Sequence, residues 1–252
     1  MTAGRPRVGV IPYLNCEPFF HRVEGVELVD LIPRRLGEAM ASGELDAGPL
    51  SLMDYVRLEN RLVPLPYGIG CPTGARSVLV FSDRPLSGLT GARVGITGET
   101  STSVELLRVL LTLRYGVEPA AWVGVEEACD AVLLIGDQAI QRLTRGPRAR
   151  HVADLGLEWR EWTGLPFVFA RWAVAARVPA PERRAFEVAL DAALDRGMEA
   201  LPRIAATHRD LGWSPAEVAS YLRNFSFRLG PDEEKGATEF LRLRGQLGAG
   251  PC

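Results

Sequence analysis

Between residues 7 and 60 the chain alternates, three times over, a short apolar run with a segment of helical periodicity. The runs are "RVGVIPY", "VELVDLIP" and "LDAGPLS", and the segments after them are "CEPFFHRV", "RRLGEAMASGE" and "LMDYVRLEN". Strand–helix–strand order leaves few folds open. Each helix carries the chain back to the same end of a sheet, so the strands run parallel and the helices cover its faces. The order restarts further on. "RSVLVFSD" (76–83) reads as a strong strand and "ARVGITG" opens a second unit. "TSTSVELLRVLLTLRYG" is an amphipathic helix, "EEACDAVLLIGDQAIQRL" a further strand and helix, and "LPFVFARWAVA" (165–175) a long apolar strand. From Pro179 onward the pattern is almost entirely helical.

Two strand–helix units predict two lobes. With the strands at 76–83 and 165–175 as crossovers, the first lobe is discontinuous, 1–82 plus 176–252, and the second, 83–175, is inserted into it. The helical tail is expected to return to the first lobe. A length of 252 residues suits one large domain or two modest ones.

Charge and composition exclude several classes. The formal net charge is −2, the arginines are scattered and Lys235 is the only lysine, so no basic stripe calls for nucleic acid. No apolar run approaches the ~20 residues that cross a bilayer. "MTAGRPR" runs into the first strand without the apolar stretch of a signal peptide, and the expected location is cytoplasmic. Cys16, Cys71, Cys129 and Cys252 are far apart, as are His21, His151 and His208, which argues against a zinc site or a disulfide framework. Phosphate-loop, zincin and nucleophile-elbow signatures are missing, and the glycines of "GARVGITG" lack dinucleotide-binding spacing.

The strongest local signal is "GITGETSTSVELL" (95–107). A strand ends in a glycine-containing turn, and Thr100, Ser101, Thr102 and Ser103 open a helix. Free N–H groups, hydroxyls and the helix dipole favour an anion there, while ordinary capping is the plainer role. Asn15 follows the first strand, at the end where open α/β sheets bind ligands, although an Asn also serves turns. Ser51 and Ser77 lie at strand ends, and each alone reads as structural. Asp137 in "LLIGDQAI" reads as a helix N-cap, and Cys16 as a small buried residue. The aromatics of "WREWTGLPFVFARW" read mainly as core.

Taken together, "VGVIPYLNCEPFF", "GELDAGPLSLMDY", "RSVLVFS", "TSTSVELLRVLL", "DAVLLIGDQA" and "DLGLEWREWTGLPFVFARWAV" resemble the chorismate dehydratase family of the futalosine route to menaquinone. The similarity runs in order from about residue 7 to 175 and weakens in the tail. It implies a two-lobed α/β fold like that of type II periplasmic binding proteins, with a ligand cleft between the lobes. It implies conversion of chorismate to 3-[(1-carboxyvinyl)oxy]benzoate and water, with aromatisation as the driving force and neither a metal nor a redox cofactor. It also implies catalytic roles for Asn15 and Ser77 and substrate binding by Tyr13, Ser51, Thr100, Ser101, Thr102 and Ser103. The substrate's own enolpyruvyl carboxylate is a candidate base. Two alternatives stay open. One is the sister enzyme that forms 1,4-dihydroxy-6-naphthoate, whose first-strand segment is P-N-D-T-F-like where this chain has "YLNCEPF". The other is a non-catalytic binding protein for a small carboxylate. The oligomeric state is not legible.

Overall fold

The computed structural model describes residues 5–248. The first three repeats form β1 (Arg7–Val10), α1 (Glu17–Phe20), β2 (Glu27–Asp30), α2 (Pro33–Ser42), β3 (Ala47–Ser51) and α3 (Leu52–Leu58). β1 lies between β2 and β3 and runs parallel to both. α2 begins with Pro33, whose missing N–H costs nothing in a first turn, and ends on Gly43 at φ +83°, the left-handed geometry of a helix stop. α3 starts where Ser51 accepts a hydrogen bond from the Asp54 N–H.

The strand that follows, β4 (Leu62–Cys71), is one that the sequence reading leaves out. Pro64 and Pro66 argue against a strand because each removes a ladder donor. The fold accommodates them because the ladder to β10 is irregular there: Pro64 is in register with Ala173, whereas Pro66 falls in a register shift and only accepts, from the Leu229 N–H at 3.0 Å.

The chain then enters a second sheet with β5 (Val78–Ser82), β6 (Arg93–Ile96), α4 (Thr102–Val109), β7 (Ala121–Gly124), β8 (Ala131–Ile135), α5 (Gly136–Arg145), β9 (His151–Asp154) and α6 (Leu155–Thr163). It returns to the first sheet as β10 (Phe167–Ala175) and finishes with α7 (Ala180–Glu199), α8 (Leu201–Thr207), α9 (Pro215–Arg223), β11 (Ser226–Arg228) and α10 (Pro231–Arg244). The strand orders are β11-β4-β10-β3-β1-β2 and β7-β6-β8-β5-β9. Both sheets are mixed. The repeats give parallel pairs, and β10, β11, β5 and β9 add antiparallel ones.

Sheet membership moves the lobe limits read from the sequence. Val78–Ser82 pairs in the second sheet and Phe167–Ala175 in the first, so the crossings fall at 72–77 and 164–166 instead of 82/83 and 175/176. Neither strand joins the lobes: each belongs wholly to the sheet it leads into.

A single large hydrophobic cluster runs through both sheets. The aromatics of 159–172 sit at its centre: Trp159, on α6, stacks edge-on against Phe167 (5.5 Å) and Phe240 (6.1 Å). Trp172 meets Phe19 at 5.3 Å. In the tail, α7 packs on α1, while α10 packs on β10 and also on α4, where Arg244 meets Glu105 at 3.1 Å. The tail therefore braces both lobes.

Candidate active site

An open cleft lies between the sheets, lined by residues of both, the kind of concave place where small molecules bind. The turns and helix starts after β1, β3, β6 and β8 supply much of its wall, as the switch-point rule for open α/β sheets requires. Tyr13, Asn15, Ser51, Ser77, Thr100, Ser101, Thr102 and Ser103 all line this one cavity, although they come from four separate stretches of chain. Ile11, Ile69, Val78, Ile135, Phe169 and Phe225 supply apolar wall.

The hydroxyls are not equivalent. Thr100 Oγ1 accepts from the Ser103 N–H at 3.2 Å, which is a capping contact. Ser101 Oγ lies 2.6 Å from Ser51 Oγ and 3.1 Å from Asp54 Oδ2, and Thr102 Oγ1 accepts from the Met53 N–H at 3.1 Å. These contacts cross from the second lobe to the first. Ser51 is heavily engaged: it donates to Asp54 Oδ2 (2.7 Å), accepts from the Asp54 N–H (3.0 Å) and meets Ser101. Ser103 Oγ makes no protein hydrogen bond among the described residues. Ser77 is 1% exposed, accepts from Tyr221 Oη at 2.8 Å and donates to the Ala75 carbonyl at 3.3 Å, a long bond that leaves its proton weakly held.

Asn15 differs from all of these. Its Oδ1 is buried and has no hydrogen-bond partner. A buried carbonyl without a donor costs about 1–3 kcal/mol, and a catalytic role is one of the reasons a native fold keeps such a group.

Three neighbours with acidic side chains or thiols shape the electrostatics. Tyr13 Oη donates to Glu99, which also accepts from Gln138 Nε2 at 2.8 Å. Burial, then the Glu99 carboxylate, raises the Tyr13 phenol above its usual range, so it stays a neutral donor. Cys16 is buried, and burial followed by the Asp137 charge pushes its thiol up, consistent with a small core residue. Asp137 does not cap its helix as the sequence reading has it. Ile135 takes the N-cap position, and the Asp137 carboxylate reaches across the cleft to accept from the Leu14 N–H at 3.1 Å. Among the described residues no cluster of three or more His, Cys, Asp or Glu is arranged to hold a metal ion.

The sequence reading passes over Glu99, Gly136, Phe169 and Asp54. Asp54 carries a usable signal, since S-x-x-D at 51–54 is a capping-box spacing. Glu99 has none of its own: an acidic residue beside a proposed anion site looks out of place until its partners are known.

Two sheets with a ligand-sized cleft between them, walled by hydroxyls, an amide, one carboxylate and apolar side chains, define the class of periplasmic-binding-protein-like folds. Structural comparison agrees. Protein AF1704 from Archaeoglobus fulgidus superposes with a TM-score of 0.77 at 18% identity, over 97% of this chain and 98% of that one. The periplasmic aliphatic sulphonate binding protein SsuA from Escherichia coli gives 0.65 at 17% identity, over 97% and 86%. At the level of sequence, the menaquinone biosynthesis family matches residues 6–246. A chorismate dehydratase of Thermus thermophilus is 34% identical, with 96% of each chain covered. The chain belongs to the menaquinone biosynthesis family.

Proposed function

We propose that the chain is a chorismate dehydratase, a hydro-lyase that converts chorismate to 3-[(1-carboxyvinyl)oxy]benzoate and water. The relative's identity over nearly the whole chain supports the activity. One observation about the cavity carries the reading to the chemistry: Asn15, which lines it together with Thr100–Ser103 of the other lobe, holds a buried amide oxygen without a partner.

In this reading the substrate's carboxylates are held by hydroxyls and by the free N–H groups that open α4. Asn15 and Ser77 orient the hydroxyl that leaves. A proton departs from the ring carbon bearing the ether, hydroxide departs from its neighbour, and the ring becomes aromatic. Negative charge that develops through the diene onto the ring carboxylate is stabilised by donors already in place. Glu99 is the only Asp or Glu in the described lining, and Tyr13 and Gln138 engage it. That supports the substrate's enolpyruvyl carboxylate as the base. We place the reaction in the cytoplasm, with a small molecule as the partner and no nucleic acid.

Incubating the purified protein with chorismate and following the products by mass spectrometry tests the reading. Loss of water to the enolpyruvyl benzoate is expected. Unchanged chorismate that nevertheless binds would favour a non-catalytic carboxylate receptor, and turnover of a different pathway acid to a naphthoate would favour the sister enzyme.

A further inference from the structure

The residues around Tyr13 form an arrangement that substrate binding does not account for. Tyr13 and Leu14 leave the first lobe after β1 and sit on the first turn of α5 in the second. Three consecutive residues receive them. Gly136 has φ +57° and packs so closely that a Cβ there would lie 2.9 Å from the Tyr13 ring. Only glycine satisfies both that backbone and that approach. Asp137 accepts the Leu14 N–H at 3.1 Å. Gln138 donates to Glu99 Oε1 at 2.8 Å, and the other Glu99 oxygen accepts the Tyr13 hydroxyl. Both carboxylate oxygens are thus engaged, one by each lobe.

Asn15 is the next residue along. Its backbone is carried by a one-turn 3₁₀ helix (Leu14–Cys16) with no side-chain cap, so little in its own element fixes the amide. We propose that Glu99 is a positioning residue: by clasping Tyr13 onto Gly136–Gln138 it sets where Asn15 presents its amide in the cavity. The inference rests on the dehydratase reading for its catalytic consequence, but the clasp itself is a property of the fold.

The substitutions separate this role from direct proton transfer. Gln at 99 still offers an oxygen to Tyr13, and its amide can donate to a flipped Gln138. Glu99→Gln is therefore expected to stay within ~10-fold of wild-type kcat. Glu99→Ala removes the clasp, and misplacing a reacting contact by about 1 Å costs ~10²-fold, so kcat is expected to fall about that far with KM less affected. Tyr13→Phe is expected to match it, and the double variant to be no worse than either single one. A readout independent of turnover is the Asn15 side-chain amide resonance. It is expected to shift alike in Glu99→Ala and Tyr13→Phe and to stay put in Glu99→Gln.

Three results would overturn the proposal. They are Glu99→Gln as damaging as Glu99→Ala, which makes Glu99 an acid or base; additive losses from Tyr13 and Glu99; or an Asn15 resonance indifferent to both. If the wild-type protein leaves chorismate untouched, the functional reading fails while the resonance test of the clasp still decides.

Discussion

Asn15 sets the sharpest expectation for a single side chain. Its unpartnered, buried Oδ1 gives the folded protein nothing, so removing it should cost no stability. Loss of one transition-state hydrogen bond of the oxyanion-hole kind typically costs ~10²–10³ in rate. Asn15→Ala is expected to keep its circular dichroism and melting temperature while kcat falls by about that factor. Turnover near wild type would reduce Asn15 to a turn residue. Asn15→Asp places a carboxylate before a dianionic substrate and is expected to be as inactive. Asp137 supports a pH experiment. Burial raises its carboxyl above the usual range, against the lowering effects of the Leu14 N–H and of His208, while Glu17 and Asp210 raise it further. A folded-state pKa above the unfolded one means the stabilisation is whole below the unfolded pKa, near 4, and is lost as pH rises through the folded value. Wild-type stability minus that of Asp137→Asn, from urea titrations between pH 4 and 8, should therefore fall with rising pH and then level off. A flat or rising difference would contradict the burial argument. That the eight candidate residues gather at one cavity is legible because strand ends, hydroxyl-rich helix starts and the family motifs coincide. The partners that decide what each hydroxyl can do are not, because Ser51–Ser101 and Tyr13–Glu99 are contacts between residues 50 and 86 positions apart.

At the level of elements, local periodicity shows the parallel repeats and fails at the crossings. β4 is hidden by Pro64 and Pro66, β11 is only three residues long, and β5 and β10 are mostly apolar with no alternation to mark a face, so nothing local says which sheet receives them. Partner choice is a tertiary matter. The 72–77 crossing has a visible anchor, however. Asp154, the N-cap of α6, accepts from the N–H groups of Gly156 and Leu157 and also from those of Ala75 (2.9 Å) and Arg76 (2.6 Å). Arg76 sits at φ +58°, a conformation that costs a non-glycine residue energy and needs such support. Removing an N-cap costs ~0.5–2 kcal/mol, and each of the two part-buried N–H groups left without a partner about 1 kcal/mol, the low end of the range for buried donors. Asp154→Ala is expected to lose about 2–4 kcal/mol by chemical denaturation, and Asp154→Asn, which keeps an acceptor, distinctly less. An Ala variant within ~0.5 kcal/mol of wild type would mean that the crossing is held by something else.

Across the whole molecule, the cleft divides two sheets but does not divide the core. Trp159 from α6 packs between Phe167 and Phe240 of the first lobe, the tail helix α10 touches α4, and one hydrophobic cluster takes in both sheets. Lobes joined by two short crossings alone would melt separately; lobes that share buried aromatics should melt together. The cavity lies where both lobes contribute walls, so a ligand there contacts both. A ligand that binds only the native state adds RT ln(1 + [L]/Kd), about 2.7 kcal/mol at a hundredfold excess over Kd. For a chain of this size each kcal/mol moves the midpoint by ~2–4 °C, so saturating product should raise it by about 5–11 °C. Scanning calorimetry is expected to show a single transition that moves up as a unit when the enolpyruvyl benzoate is added. Two transitions, with only one of them moving, would show that the shared aromatic cluster does not couple the lobes and that the ligand is held by one of them alone.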